Sequence, residues 1–227
     1  MSNFVFFLPT RKGSERIKHK NTRQFAGYDG GLVALKLKQL LQIPDIPILI
    51  STNDPKTISV AESYANPRIE IIKRPEKLSQ SNTDLQNLIN YIPTITNAEH
   101  IVWTHVTSPF ITAKVYQKAV EQYKKHLGKG YDSLMSVTKI QEFLWDKKQN
   151  TTINFDRSQL KWPRTQDLNP LYAVNSGIFI NSRQNYLDQE DRIGQKPYLL
   201  EINALESMDI DWIEDFITTE KIYEALQ

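Results

Sequence analysis

Phe4-Val5-Phe6-Phe7-Leu8 runs without interruption into Pro9-Thr10-Arg11-Lys12-Gly13-Ser14-Glu15-Arg16-Ile17-Lys18-His19-Lys20-Asn21. Five apolar residues stopped by a proline read as a buried strand, and the basic continuation reads as the loop after it. Residues 32–41 have apolar side chains at 32, 33, 35, 37, 40 and 41, a helical spacing that turns Lys36 and Lys38 outward. Residues 46–51 form the next strand pattern. Asp54-Pro55 then supplies an N-cap and a first-turn proline for a helix to about Tyr64. The alternation continues with a strand at 69–72, a helix at 84–95 ending around Pro93, and a strand at 100–106. A helix to Leu127 follows, capped by Thr112 and closed by Gly128, and then a strand at 132–137. Strand–helix repetition of this kind predicts an α/β protein with a parallel sheet and helices on both faces. Ligands of such sheets sit beyond the carboxyl ends of the strands, so the loops after Leu8, Ser51, Ile72 and Val106 are the first places to look.

The pattern weakens over residues 139–171, a polar stretch holding Trp145, Trp162 and Pro163. It reads equally as a dimerisation arm or as a surface excursion. A strand at 172–180 and a helix at 212–226 restore the order. Residues 1–138 and 172–227 therefore make one domain, with 139–171 inserted.

A length of 227 residues fits one domain with an appendage. The absence of cysteine excludes disulfides, thiolate metal sites and cysteine nucleophiles. Eight glycines, four of them in the first 31 residues, argue against collagen-like or many-turned all-β architectures. The net charge of +2 conceals a segregation. Residues 11–23 hold six Lys or Arg against Glu15, whereas residues 201–220 hold seven Asp or Glu and no Lys or Arg. Opposite clusters in one small chain suggest an anionic substrate and a divalent cation. A nucleic-acid binder using residues 11–23 is the rival from another class, and the balanced charge argues against it. No apolar run reaches membrane-spanning length, and residues 4–8 are too short for a signal core, so the expected setting is cytoplasmic, with neither membrane nor nucleic acid as partner.

The loop at 9–21 has neither GxxxxGK[ST] nor GxGxxG. It nevertheless has what a polyphosphate needs. Gly13 and Ser14 permit close backbone approach, Ser14 offers a hydroxyl, Arg11 can grip phosphate with two hydrogen bonds, and Lys20 is a point charge. A solvated basic loop is the competing reading, and placement after the first strand favours the site.

Arg11, Gly13, Ser14, Arg16, Ile17, Lys20 and Asn21 fit the R-x-G-S-x-R-I-x-x-K-N signature, and here the chain resembles the acylneuraminate cytidylyltransferase (CMP-sialic acid synthetase) family. Further resemblances follow in order. Ser51-Thr52-Asn53-Asp54 is similar to the STDD motif. Arg74-Pro75-Glu76-Lys77-Leu78-Ser79 with Asn82-Thr83 is similar to RPEELS and its NT. Thr107-Ser108-Pro109 is similar to the T-S-P turn, and Pro163-Arg164-Thr165-Gln166-Asp167-Leu168 to PRRQDLP. Asn175-Ser176-Gly177 is similar to a strand-opening N-G, and Asp209-Ile210-Asp211 with Asp215 to the closing S-I-D-I-D-T-x-x-D.

The resemblance implies a three-layer, Rossmann-like fold with a mostly parallel sheet and a small inserted dimerisation arm. It implies transfer of CMP from CTP to the anomeric hydroxyl of an acidic nonulosonic sugar, with release of pyrophosphate, by a homodimer. A nucleotidyltransferase of the same fold with another sugar acid or a sugar or polyol phosphate as acceptor is the alternative. Arg11, Gly13, Ser14, Lys20, Asn21, Arg74, Asn82 and Thr83 would hold the nucleotide, with Arg11, Lys20 and Asp211 carrying catalysis. Asp209 and Asp211, two apart on an extended segment, would share a side and hold Mg²⁺ or Mn²⁺. Asp211 also reads as an N-cap for the last helix. His105, Arg164, Gln166 and Asn175 would meet the sugar, Arg164 pairing with its carboxylate. Taken alone, Arg74 reads as readily as a surface arginine, Arg164 and Gln166 as polar loop, and Asn175 as a strand-start brace.

Three departures stand out. Glu15 replaces a lysine, His105 replaces a glutamine and brings a group that titrates near neutral pH, and Lys18-His19 replaces Pro-x before Lys20. These affect the identity of the sugar most, leaving sialic, legionaminic, pseudaminic and 2-keto-3-deoxy acids open.

Overall fold

The computed structural model describes residues 3–227; residues 1 and 2 of the first segment lie outside them. The order is β1 (Phe4–Pro9), α1 (Gly31–Leu41), β2 (Ile48–Thr52), α2 (Pro55–Ser63), β3 (Ile69–Lys73), α3 (Leu85–Ile95), β4 (His100–Thr104), α4 (Ala113–Leu127) and β5 (Ser133–Ile140). There follow β6 (Trp145–Asp146), β7 (Thr151–Thr152), β8 (Leu171–Ser182), α5 (Arg183–Gln189), β9 (Pro197–Glu201) and α6 (Ile213–Ala225). Seven strands form one sheet in the order β3-β2-β1-β4-β8-β5-β9. All pairs are parallel except those of β8, which runs against β4 and β5. The fold is therefore the three-layer, mostly parallel α/β arrangement that the resemblance implies.

The apolar run of β1 is continuous because both of its faces are buried. Phe4, Phe6 and Leu8 enter a core with residues of α1, α4 and α6. Val5 and Phe7 enter a second core with Leu88, Ile89 and Ile92 of α3 and Tyr186 of α5. Strand order reverses direction at β1, so β2 and β4 flank it and a crevice opens between the ends of β1 and β4.

Several local expectations are corrected. Lys36 does not face outward: its side chain is wholly buried. Three and four residues from Val33 and Leu32, it lies on the inward face of α1, and its ammonium donates to the carbonyls of Ser108 (2.9 Å) and Ile111 (3.0 Å). Thr112 occupies the N-cap position of α4 but makes no side-chain cap hydrogen bond. Asp54 does cap α2, accepting from the Lys56 amide at 3.1 Å. Besides the short β6 and β7 of the insertion, α5 and β9 are elements that the sequence pattern does not predict. The signal for α5 is Ser182, whose hydroxyl accepts from the Asn185 amide at 3.0 Å; β9 is a half-buried edge strand without clean alternation. The glycines before α1 also find their reason. A β-carbon on Gly31, at φ +61°, would overlap the Arg23 carbonyl oxygen, and one on Gly30 would lie 2.8 Å from Val60.

Between β5 and β8 the chain makes an excursion with its own small core. Asn154, 3% exposed, donates to the Glu142 carbonyl (2.8 Å) and accepts from the Leu144 amide (3.2 Å). Phe143 packs on Phe155 and Trp162, and the Arg157 guanidinium lies over both Trp145 and Trp162. The two long strands lead into it as a ribbon, with Lys139 opposite Tyr172 and Ile140 opposite Leu171. Among the described residues, no helix is long and apolar enough to cross a membrane.

Candidate functional site

A cleft of about 460 Å³ occupies the crevice between β1 and β4. Its lining includes Arg11, Ser14, Arg16, Lys20 and Asn21 from the basic loop, Arg74 after β3, and Trp103, His105 and Thr107 at the end of β4. The loop is pinned rather than loose. Ile17 is buried in the core, the Lys12 amide donates to Asn53 (2.9 Å), and Asn53 in turn donates to Glu76 (3.0 Å). Asn21 is buried, and its side chain donates to the Arg11 carbonyl at 3.4 Å. Gly13 has φ +81° with open space where a β-carbon would stand, so its backbone is free for close approach.

The acidic segment meets this loop directly. Lys20 donates to the Ile210 carbonyl at 2.7 Å and lies 3.6 Å from the Asp211 carboxylate, while Arg16 reaches the same carboxylate at 3.1 Å. Burial lowers the Lys20 pKa, opposed by Asp211 and Asp209. Asp209 keeps an exposed edge, yet crowding by protein raises its carboxyl above the usual range, with Asp211 adding to this and Thr107 opposing it by a hydrogen bond. The N-cap reading of Asp211 does not hold. Asp215 caps α6 instead, accepting from the Trp212 (2.7 Å) and Asp211 (3.0 Å) amides and leaving the Asp211 side chain to the cations.

Two carboxylates beside a basic loop suit Mg²⁺, which takes one or two protein carboxylates and completes its shell with phosphate oxygens and water. Among the described residues no cluster of three or more His, Asp or Glu side chains could form a metal cage. The donor set thus fits an ion that arrives with a phosphate better than a self-sufficient protein site.

Arg74 is not a surface arginine. It is 5% exposed, and its guanidinium spans the sheet edge to donate to the Thr10 and Ser51 carbonyls. Burial, with Arg11 nearby, lowers it to about 10, and its Nε has no partner among the described residues. Asn82 and Thr83 lie on the loop before α3, where Ser81 rather than either of them lines the cleft. Thr83 donates to the Lys77 carbonyl at 3.1 Å.

His105 lines the cleft but does not titrate near neutral pH. Burial, reinforced by Arg192, Lys36 and Lys20, pushes its imidazole down to about 3, so the ring is neutral. Asn175 is fully engaged at the bulge between β5 and β8. It accepts from Ser136 (2.6 Å) and the Gly177 amide (3.2 Å) and donates to Thr138 (3.0 Å). Arg164 and Gln166 stand on the exposed excursion, outside the cleft of their own chain. Arg164 is held by Asp167 through two hydrogen bonds of 2.7 and 3.2 Å.

Sequence reasoning missed the supports behind the cleft. Lys36 and Gln39 of α1 grip the turn at 108–111, Gln39 donating to the Pro109 carbonyl at 2.7 Å. The signal was a charged and an amide side chain three apart on a helix whose other residues, Lys38 apart, are apolar or glycine. Arg192, between α5 and β9, gave no signal because that stretch had no recognised element.

Crevice, pinned basic loop and facing carboxylates together make an α/β protein with a cleft suited to a nucleotide. The chain belongs to the cytidylyltransferase family, whose model matches residues 5–226. It is 24% identical over 225 residues to the N-acylneuraminate cytidylyltransferase of Streptococcus agalactiae serotype III (strain NEM316), covering 94% of this chain and 51% of that protein. It thus spans about half the length of the streptococcal relative. The CMP-N,N'-diacetyllegionaminic acid synthase of Legionella pneumophila subsp. pneumophila (strain Philadelphia 1) is 25% identical over 232 residues, with 97% of this chain and 96% of that protein covered. A solved CMP:2-keto-3-deoxy-manno-octonic acid synthetase, complexed with CTP, superposes with a TM-score of 0.67 over 100% of both chains at 13% identity, a likeness of fold.

Proposed function

We propose that this chain transfers CMP from CTP to the anomeric hydroxyl of an acidic nonulosonic sugar, releasing pyrophosphate. The observation that carries this reading is the meeting of Lys20 with Ile210 and Asp211, which brings the basic loop and the acidic pair to one cleft. Arg11, Ser14 and Lys20 neutralise the triphosphate, and Gly13 lets the backbone approach it. Asn21 holds the loop from behind, and Arg74 fixes the ends of β1 and β2 at the nucleotide end, with Asn82 and Thr83 on the adjoining loop. In-line attack by the sugar oxygen builds charge on the α-phosphate and the leaving pyrophosphate, so positioning and charge neutralisation are the main tasks. Asp209 and Asp211 would hold Mg²⁺ or Mn²⁺, which would supply charge stabilisation at the phosphates. Neutral His105 faces the acceptor side as a hydrogen-bonding group.

The chain works as a homodimer through the excursion at 139–171. Phe143, Trp145 and Trp162 are exposed there, 70% in the case of Trp162. Arg164 and Gln166, outside their own cleft, reach a sugar from a second copy. Sedimentation of the wild type and of Trp145→Ala/Trp162→Ala tests this, a monomeric wild type refuting it.

Pyrophosphate release from CTP and Mg²⁺ with N-acetylneuraminic, N,N'-diacetyllegionaminic and pseudaminic acids tests the reaction. Silence from a folded protein that binds CTP refutes it. Preference for a sugar or polyol phosphate acceptor would favour the alternative.

A further inference from the structure

Behind the cleft wall, on the α3–α5 side of the sheet, several polar groups gather without partners. Trp103 and His105 are two apart on β4 and its extension, with their rings stacked at 6.0 Å. Trp103 Nε1, His105 Nε2 and the Tyr186 hydroxyl are all shielded from solvent and make no hydrogen bond among the described residues. Arg192 joins them. Its guanidinium carbon lies 3.8 Å from the centre of the Phe179 ring and 4.9 Å from that of Trp103. It makes none of the ion pairs or hydrogen bonds among the described residues, although Tyr186 and Asp191 lie near enough to favour its charge. The neighbouring Asp191 instead accepts from the Ile193 amide at 3.2 Å.

Leaving buried donors unpaired is costly, so such a cluster is accounted for when something fills it. Indole N–H and guanidinium are donors only, and the phenol can donate as well, so the missing partner is an acceptor bearing negative charge. A guanidinium stacked by its face on aromatic rings keeps its in-plane N–H edge free, the edge that matches a planar carboxylate. The loop carrying it is held firmly. Asp132 accepts from the Gln195 (2.7 Å) and Lys196 (3.0 Å) amides, and Ser133 accepts from the Gly194 amide (2.9 Å). Arg11 sits beside Arg74 at the ends of β1 and β2, whereas Arg192 lies over Trp103 of β4 and Phe179 of β8, so this cluster is assigned to the acceptor, not the nucleotide. Arg164, the residue first associated with the sugar acid, is already occupied by Asp167.

We propose that Arg192, backed by Trp103, Tyr186 and His105, is the carboxylate-recognising residue for the acidic acceptor. This rests on the CMP-transfer reading and names the group that selects its second substrate.

The test uses the wild-type chain. With CTP bound and no divalent ion added, it is titrated in a calorimeter with sodium N-acetylneuraminate, N,N'-diacetyllegionaminate and pseudaminate, and with N-acetylneuraminic acid methyl ester. At least one acid is expected to bind saturably while the ester does not. Arg192→Gln should raise half-saturation at least tenfold, Arg192→Lys should fall between, and CTP affinity should stay within twofold in both. Equal titration by acid and ester, an unchanged half-saturation in Arg192→Gln, or no acid binding to a chain that binds CTP would each overturn the proposal. Acid binding without pyrophosphate release would sink the transfer reading and leave the Arg192 assignment standing. Release with an unaltered KM for the acid in Arg192→Gln would do the reverse.

Discussion

The ammonium of Lys36 donates to the carbonyl of Ser108 at 2.9 Å, tying the interior of α1 to the turn that follows β4. The same turn accepts from the acidic segment, the Ile210 amide lying 3.0 Å from the Thr107 carbonyl. A buried lysine on one helix thus braces the turn to which Ile210, the residue between Asp209 and Asp211, is bonded. Lys36→Met leaves two carbonyls unpaired, and a loss of about 2–4 kcal/mol is expected in urea unfolding. Burial lowers Lys36 from 10.5 to about 7. An unfolded chain therefore holds a proton that the folded chain lacks between these values, and stability due to this group rises from pH 7 to pH 10.5. Lys36→Met should flatten that part of the pH–stability curve.

The depressed pKa of His105 makes an opposite claim to that of an ordinary histidine. With a folded value of about 3 against 6.5 unfolded, its contribution to stability is complete above pH 6.5 and is lost as pH falls toward 3. Activity should show no inflection between pH 6 and 8 that His105→Gln removes. An inflection abolished by that substitution, read from kcat/KM for the sugar acid, would contradict a neutral ring.

Asp211 is the partner of both Arg16 and Lys20 before any nucleotide arrives. Asp211→Asn should release both cations. Without divalent ions, CTP should then bind with equal or several-fold higher affinity by calorimetry, while turnover with Mg²⁺ falls at least a hundredfold. Weaker metal-free binding would show that Asp211 holds the loop rather than the ion.

Glycine substitutions separate folding from binding. Gly31→Ala puts a β-carbon onto the Arg23 carbonyl oxygen, so its cost in urea unfolding should exceed the ~1–2 kcal/mol of a left-handed alanine alone. Gly13→Ala meets nothing within 4 Å and should cost only that ~1–2 kcal/mol. Its larger effect should be a raised KM for CTP.

What could be read from the chain beforehand was whatever depends on local spacing. The apolar run of β1, the Asp54-Pro55 helix start and the strand–helix alternation needed no tertiary knowledge. The basic loop and the acidic segment were legible as charge, and their meeting at Lys20 was implied only by family resemblance. Groups whose role lies in a distant partner escaped. Lys36 looked solvent-facing because its acceptors are more than 70 positions away, at Ser108 and Ile111. Arg192 follows a short helix and precedes an edge strand, neither with strong periodicity, and its stacking partners come from two other strands. Asn175 was legible as polar, but its triple engagement depends on the register shift between Met135 and Val137.

The reversed direction of β8 has a bearing on how such a chain can diversify. Because β8 opposes β5, the chain leaves the sheet and re-enters it at one end, the end where the β1 and β4 loops also lie. Material added between Ile140 and Leu171 lengthens a protruding ribbon and disturbs no hydrogen bond in the ladder below. The length and surface of that one segment can therefore change while the β1–β4 half of the sheet stays as it is.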